Sequence, residues 1–237
     1  MNRFFNSPLI LLLLIMAAMG IVDGRFSNPL EWAMRVALLL PGIVIGLSFH
    51  EFGHAIVSHK LGDPTPKLQG RVTVNPLAHI DPIGFIALIF IGFGWGRPVQ
   101  INPNYFKNPR RDEFLVGIAG VTLNLILAII FAGLMKVLLT FGYEFSFTYM
   151  GQVVMDILSY AIMINIVLMV FNLLPVPPLD GFGLLTQIFN LKQTEWYYKV
   201  YNNGFIILMV LLLFNVVDKV LTPAVGILFE LITGIFF

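Results

Sequence analysis

Residues 42–54 have the sequence GIVIGLSFHEFGH, which places an H-E-x-x-H motif inside a strongly apolar run. On a helix, positions four apart differ by about 40° around the axis, so His50 and His54 would share one face, one turn apart. This spacing lets two imidazole nitrogens bind one zinc ion, and Glu51 beside them can act on water as a general base. The run therefore predicts a zinc site on an apolar helix.

A histidine in an apolar helix is more often a satisfied core residue than a metal ligand. Here, however, three ionisable side chains lie within one turn, and each costs roughly 2.5–3.5 kcal/mol at the centre of a bilayer. Such a cluster favours a metal ion that compensates the cost. Gly42 and Gly46 precede His50 at the same four-residue step, which predicts a face that another helix or a substrate can approach closely.

The composition is that of an integral membrane protein. The chain has 237 residues, of which 58% are hydrophobic and 11% charged, whereas soluble domains have about 25% charged residues. There is no cysteine, which excludes disulfides and thiolate zinc ligands and leaves histidine and carboxylate ligands. The net charge of +1 gives no reason to expect a nucleic-acid partner.

The apolar runs predict an all-α polytopic membrane protein with about six transmembrane helices. These candidate helices cover residues 8–22, 32–58, 114–139, 152–174, 201–217 and 221–237. The first run resembles the apolar region of a signal peptide, but the apolar character of the rest of the chain favours a retained membrane helix. Residues 1–237 are expected to form a single integral-membrane domain with its catalytic core at about 32–190.

Residues 59–113 are the least helical part of the sequence. Residues 70–75, GRVTVN, alternate polar and apolar side chains as a strand does, and such a strand could accept an unwound substrate by edge addition. Residues 83–93 are apolar but too short to span as a helix, and nearby glycines favour a re-entrant or hairpin-like segment. We therefore expect a short membrane-associated β or re-entrant segment at 64–100.

The distribution of positive charge predicts the orientation in the bilayer. With the N-terminus and residues 59–113 and 176–200 on one side, that side has ten Lys and Arg residues, including Arg3, and the other side has four. The side with ten is expected to be cytoplasmic. Because the H-E-x-x-H motif comes late in a helix that enters from the other side, the active site is expected nearer the cytoplasmic face.

A catalytic zinc ion usually has three protein ligands and one open position, so a third ligand is needed. Asp180 is the best candidate because it lies in PVPPLDG, residues 175–181, where prolines fix the backbone and Gly181 permits a tight turn. The alternative is that Asp180 only caps the following helix. Glu230 and Asp156 are weaker candidates, since neither lies in such a rigid context.

Two long motifs in this order resemble the site-2 protease family of intramembrane zinc metalloproteases. They are HEFGH at residues 50–54 and NLLPVPPLDG at 172–181. The similarity also includes GRVTVNPLAHIDPIG at 70–84, GRPV at 96–99 and NPRRD at 108–112, and it covers roughly residues 40–190. The chain has no room for the PDZ or CBS domain that many relatives have, so it resembles a compact core form.

This resemblance implies a function and a set of site residues. One Zn²⁺ per chain would be bound by His50, His54 and Asp180, with Glu51 as the base. The enzyme would cleave a transmembrane protein substrate within the lipid bilayer by zinc-activated water, in regulated intramembrane proteolysis. The small cysteine-free core favours a multi-pass protein of a prokaryotic cell membrane.

Other polar residues in the apolar segments have competing interpretations. Asn172 could donate to the oxyanion that develops during catalysis, or it could bond another helix. Asn124 and Asn165 are expected to make helix–helix contacts. His79 is not expected to be a ligand, although it could order the loop near the active site, and His59 is expected to be interfacial.

Two other functions remain open from the sequence. His, Asp and Asn side chains inside membranes also mark ion paths, so a metal-ion transporter is one alternative. A catalytically inactive membrane scaffold with a zinc site is the other. The presence of Glu51 argues against the scaffold, because holding a metal does not need a base.

Overall fold

The computed structural model describes residues 7–237 of the chain, with side chains from Ile10 onward, and this part is helical. The helices, in chain order, are α1 (Ser7–Val22), α2 (Pro29–Lys60), α3 (Thr65–Leu68), α4 (Pro76–His79), α5 (Pro82–Ile91), α6 (Pro109–Phe141), α7 (Tyr143–Ser146), α8 (Tyr149–Asn172), α9 (Asp180–Phe189), α10 (Glu195–Leu213) and α11 (Val216–Gly234). Two short 3₁₀ turns lie at Pro103–Tyr105 and Leu191–Gln193. No strand occurs between residues 7 and 237, and the single β-bridge joins Ile80 to Gly96.

Three of the described helices, α2, α6 and α8, are long and apolar enough to cross a membrane. The pair α10 and α11 passes the same test together but bends by 75°, so the described spans number three, or four if this pair counts as one. α1 and α5 are apolar but shorter. The prediction of an all-helical, multi-pass membrane protein is therefore confirmed. Arg3, which contributed to the predicted orientation, lies outside the described residues.

Side-chain caps explain where several helices begin. Asn28 accepts a hydrogen bond from the Glu31 amide before Pro29 opens α2, and the Thr148 side chain accepts one from the Gly151 amide at the start of α8. Asp81 accepts from two amides at the start of α5. Each bond satisfies an amide that the helix itself leaves without a partner, and proline suits the first helical position.

The core is a bundle of α2, α6 and α8 that packs closely because small residues lie between the helices. A Cβ added to Gly42 would lie 2.8 Å from the Ala161 Cα of α8, and one added to Gly53 would lie 2.9 Å from the Ala119 carbonyl of α6. A Cβ on Gly46 would meet Leu168 of α8 at 2.7 Å. The glycine face predicted on α2 is thus used by a neighbouring helix.

Residues 80–96 fold back on themselves, as the hairpin-like prediction requires. α5 ends at Ile91 and is followed by Gly92, which has the left-handed φ of 85° that glycine adopts without strain, and the chain then returns along the helix. A Cβ on Gly84 would clash with the Trp95 carbonyl at 2.1 Å, so the two arms of the hairpin are in direct contact. This turn brings residues 96–99 back towards α2.

The predicted strand at residues 70–75 is wrong, and the idea that substrate adds to it as an edge strand is no longer supported. In a half-buried strand the polar side chains would face solvent and the apolar ones the core. Here the polar Arg71 is buried, with 5% of its surface exposed, whereas the apolar Val74 is 46% exposed. Arg71 is inside because its guanidinium donates to the carbonyls of Ala78, Arg97 and Pro98. These long-range bonds hold the segment as a bent loop.

Candidate metal centre

His50 and His54 lie on the face of α2 that packs against α6, and both are buried. Their Nε2 atoms are 3.0 Å apart, with the two rings nearly perpendicular. The spacing of the motif on a regular helix produces this arrangement, because residues one turn apart project in nearly the same direction. Two nitrogen atoms therefore converge on one point beside α6.

Asp180 comes to the same point from a distant part of the chain. It is the first residue of α9, and its Oδ2 lies 3.1 Å from His50 Nε2 and 3.3 Å from His54 Nε2. The start of α9 has no side-chain cap, so Asp180 is directed to the histidines and does not cap its own helix. These three residues form the only group of at least three potential ligands among the described residues, so neither Glu230 nor Asp156 takes part in one.

α9 is fixed by contacts near its other end. Arg110 of α6 donates to the carbonyls of Gln187 and Ile188, which lie in the last turn of α9. The Gln187 side chain also donates to Glu113 of α6. A cation at the C-terminus of a helix satisfies carbonyls that have no partner within the helix. α6 thus positions the helix that begins with Asp180.

The outer nitrogen of each histidine is engaged, which determines the tautomer. His50 Nδ1 is 2.7 Å from Asn124 Oδ1, while the Asn124 amide group donates to the Gly46 carbonyl and to Asn165 Oδ1. His54 Nδ1 is 2.7 Å from the Val116 carbonyl. Because these oxygens accept, each Nδ1 carries the proton and each Nε2 presents a lone pair.

Three lone-pair atoms therefore face one another, which is an arrangement that a cation stabilises. Asp180 Oδ2 is buried and has no hydrogen-bond donor. Ligand atoms around tetrahedral zinc at its usual bond lengths are roughly 3.3 Å apart, and the three separations here are 3.0, 3.1 and 3.3 Å. Two imidazoles and one carboxylate suit zinc and leave a fourth position open. The residues present fit a zinc ion.

Gly120 of α6 leaves the room that this cluster needs. A Cβ at this position would lie 2.5 Å from His54 Nε2 and 2.7 Å from His50 Cε1. Real Cβ contacts are essentially never this short, so any larger residue would displace the imidazoles. The absence of a side chain at Gly120 is thus a direct requirement of the histidine geometry.

Glu51 is half-buried next to this cluster, and its carboxylate is held by the returning loop. Its Oε2 accepts a hydrogen bond from the Val99 amide at 2.9 Å. Gly96 is also close, since a Cβ there would lie 3.9 Å from Glu51 Oε1. The carboxylate thus has a fixed neighbour on one side.

The other polar residues of the apolar segments make structural hydrogen bonds. Asn172 donates to the Leu168 carbonyl of its own helix, so the structure does not join it to the histidine cluster. His79 is fully buried and its Nε2 bonds the Thr73 carbonyl, which is consistent with the loop-ordering role that the sequence left open. Asn124 and Asn165 link helices as predicted, but the bond from Asn124 to His50 was not foreseen. A lone Asn in an apolar helix signals a polar partner without identifying it.

The family model described as Peptidase family M50 matches residues 38–215. The chain belongs to peptidase family M50. Among M50-like relatives, YwhC of Bacillus subtilis is 38% identical over 187 residues, covering 76% of this chain and 82% of YwhC. Rip2 of Mycolicibacterium smegmatis is 28% identical over 218 residues, covering 87% and 80%, and Rip2 of Mycobacterium tuberculosis is 29% identical over 189 residues, covering 76% and 69%. No solved structure matches significantly.

M50 membership confirms the resemblance to the site-2 protease family that the motifs indicated. The relatives above carry the name of zinc metalloproteases, and the family to which this chain belongs is a family of peptidases. The matched range includes all three residues of the His-His-Asp cluster. The sequence motifs and the convergence of the three side chains thus agree on the same region of the molecule.

Proposed function

We propose that this protein is an intramembrane zinc endopeptidase that cleaves transmembrane protein substrates within or near their membrane helices. One zinc ion per chain is held by His50, His54 and Asp180. The observation that carries the proposal is the approach of these three ligand atoms to within 3.3 Å of one another. The two histidines lie on α2, which is long and apolar enough to cross a bilayer, and Asp180 reaches them from the short helix α9.

Glu51 is the general base and acid in this proposal. The chemistry that bound zinc supplies in such sites is Lewis-acid activation of water and of the scissile carbonyl at neutral pH. Glu51 takes a proton from the attacking water and returns it to the nitrogen of the leaving amine. The bond from the Val99 amide occupies one lone pair of Glu51 Oε2, while Oε1 makes no hydrogen bond among the described residues and is available for the proton transfer.

Asn172 is proposed to donate a hydrogen bond to the developing oxyanion. It lies at the end of α8, just before the segment that leads to Asp180. One of its two amide hydrogens is used by the Leu168 carbonyl, and the other is free to donate. Preorganised donors of this kind contribute by stabilising charge that develops only in the transition state.

The membrane arrangement extends this proposal. The whole chain forms a single protease domain with its catalytic core at about 32–190, and α1, α10 and α11 complete a set of about six membrane helices. Leu12, Leu13 and Met16 of α1 pack against the same apolar cluster as residues of α10, which favours a retained first helix. The excess of positive charge on one side favours an active site nearer the cytoplasmic face.

The experiment is cleavage of a model transmembrane substrate by the purified protein in detergent, with zinc measured on the same samples. The wild-type protein is expected to cleave, and Glu51→Gln to abolish cleavage while zinc remains bound, because glutamine cannot accept the proton. Two results together would overturn the proposal in favour of a metal transporter. The wild-type protein would not cleave the substrate, and the Glu51→Gln protein would still transport zinc across the membrane of a proteoliposome.

A further inference from the structure

The backbone of residues 96–99 forms a wall beside the Glu51 carboxylate. The Val99 amide donates to Glu51 Oε2 at 2.9 Å, and Gly96 approaches Oε1 closely enough that a Cβ would be in van der Waals contact. Glutamate has three rotatable side-chain bonds, so a base built on it acts well only when its surroundings fix the carboxylate. The stability of this wall therefore bears directly on the chemistry.

The wall itself has little regular secondary structure to hold it in place. Its link to a neighbouring segment is the isolated bridge between Ile80 and Gly96, in which the Arg97 amide donates to the His79 carbonyl at 2.7 Å. Pro98 has no amide hydrogen, and the Val99 amide is used by Glu51. A side chain must therefore fix the orientation of the peptide groups at 97–99.

Arg71 supplies that fixation from the loop that precedes α4. Its side chain is buried, and its Nη2 donates to the Arg97 carbonyl at 2.8 Å and to the Pro98 carbonyl at 2.9 Å. Its Nη1 donates to the Ala78 carbonyl. The guanidinium group is planar and always charged, with donors in a rigid fork, so it holds several carbonyls in one fixed geometry.

The Pro98 carbonyl and the Val99 amide belong to the same trans peptide group. In such a planar unit the C=O and N–H bonds point in opposite directions. Arg71 thus binds one side of the plane while Glu51 accepts from the other, and rotation of the plane would break both hydrogen bonds. We propose that Arg71 is a positioning residue for Glu51, acting through the peptide group between Pro98 and Val99.

This inference rests on the proposed role of Glu51 as the base, and it makes a specific chemical claim. A cation on the carbonyl oxygen polarises the peptide and strengthens its N–H as a donor, so the connection is electrostatic as well as geometric. Lysine keeps the charge but lacks the fork, so Arg71→Lys should loosen the peptide without removing the positive charge from the loop. Val99→Pro removes the amide hydrogen at the other end of the same connection.

The test measures kcat and KM for a model transmembrane substrate, with zinc content and thermal midpoint, for the wild type, Arg71→Lys, Val99→Pro and the double variant. Each single change is expected to lower kcat about tenfold through misplacement of the base, with KM within about twofold and zinc equimolar with protein. The double variant should be no worse than the poorer single variant, because both changes break one connection. Lys67→Gln changes an exposed charge in α3, shortly before this loop, and is the control that should behave as wild type.

Three results would overturn the proposal: a wild-type kcat in Arg71→Lys, loss of zinc in Arg71→Lys, or a double variant whose kcat falls by the product of the two single effects. If Val99→Pro does not fold, the kcat and KM of Arg71→Lys decide alone. Failure of the proposed function is distinguishable, because the wild type would then show no cleavage, or Glu51→Gln would retain it.

Discussion

The three-helix bundle of α2, α6 and α8 and the loop-rich segment 61–108 hold polar groups in different ways. In the bundle, Asn124 and Asn165 bond across helices, and the histidines face a glycine on the neighbouring helix. In the segment, charged side chains such as Asp63 and Arg71 instead bind backbone groups of the loop. The bundle thus positions two metal-ligand candidates, and the segment positions the carboxylate of Glu51.

This difference in how polar groups are held predicts which part of the molecule tolerates substitutions. A ligand atom in the bundle is fixed by packing between rigid helices, so a small steric change there should remove the metal. A loop held by several hydrogen bonds should lose stability or rate in smaller steps, since each bond contributes only about 1 kcal/mol. The following changes are chosen to test this contrast.

The largest effect is expected from Gly120→Ala. The new Cβ would lie 2.5 Å from His54 Nε2, so the imidazoles must move out of the position in which they converge with Asp180. We expect zinc content to fall at least about tenfold and cleavage to be lost. Gly133→Ala on the same helix is the control, because its Cβ would meet the Phe236 ring at an ordinary 3.5 Å. Zinc bound in equimolar amount to the Gly120→Ala protein would contradict the claim that packing within the bundle fixes the two histidines.

A smaller effect is expected from Asn124→Ala, which removes the acceptor for His50 Nδ1. Loss of the group that orients a metal-bound histidine typically lowers metal affinity about 10–100-fold. Competition with a chelator measures the zinc dissociation constant. Thr122→Ala, an exposed residue of α6 that bonds only its own helix, should leave it unchanged. An unchanged constant in Asn124→Ala would mean that packing alone orients His50.

The residues in and around the candidate metal centre show what the sequence could and could not predict. The H-E-x-x-H spacing is local, so helix geometry alone places the two imidazoles together. Asp180 could be predicted as the third ligand candidate because the prolines around it indicate a rigid setting, although it lies far from the histidines in the chain. The partner of Asn124 could not be predicted, because it depends on the register between α2 and α6.

The wrong strand at 70–75 has a related cause. Alternation of polar and apolar residues predicts a strand only if the polar side chains face solvent, and Arg71 is buried. Arg71 is buried because it donates hydrogen bonds to the carbonyls of Ala78, Arg97 and Pro98. No local sequence pattern reveals these partners. The hairpin at 80–96 was easier to predict, because its glycines act within a short stretch of chain.

The smallest effect is expected from Asp63→Asn in the loop-rich segment. The carboxylate accepts bonds from Ser58 Oγ, the Thr65 amide and the Asn102 amide. Burial raises the pKa of Asp63, but these hydrogen bonds lower it by more, so the net pKa is below its usual 3.8. Asparagine keeps one oxygen acceptor but loses the charge, and we expect unfolding at pH 7 to become easier by about 1 kcal/mol.

The pH dependence of this difference follows from the sign of the pKa shift. A group whose pKa is lower in the folded state stabilises the fold above its unfolded pKa, and the contribution disappears as the pH falls through the folded value. The gap between wild type and Asp63→Asn should therefore be constant above about pH 5 and shrink below about pH 4. Unfolding measured across pH checks this, and a gap that widens in acid would contradict it.

The most direct test of the whole account is the zinc content of the Asp180→Ala protein beside that of the wild type. Asp180 joins α9 to two histidines of α2 and has no other described hydrogen-bond partner for its buried oxygen. We expect one zinc per chain in the wild type and in the Asp156→Ala control, and less than about a tenth of that in Asp180→Ala. Equimolar zinc bound by the Asp180→Ala protein would contradict the proposed metal centre.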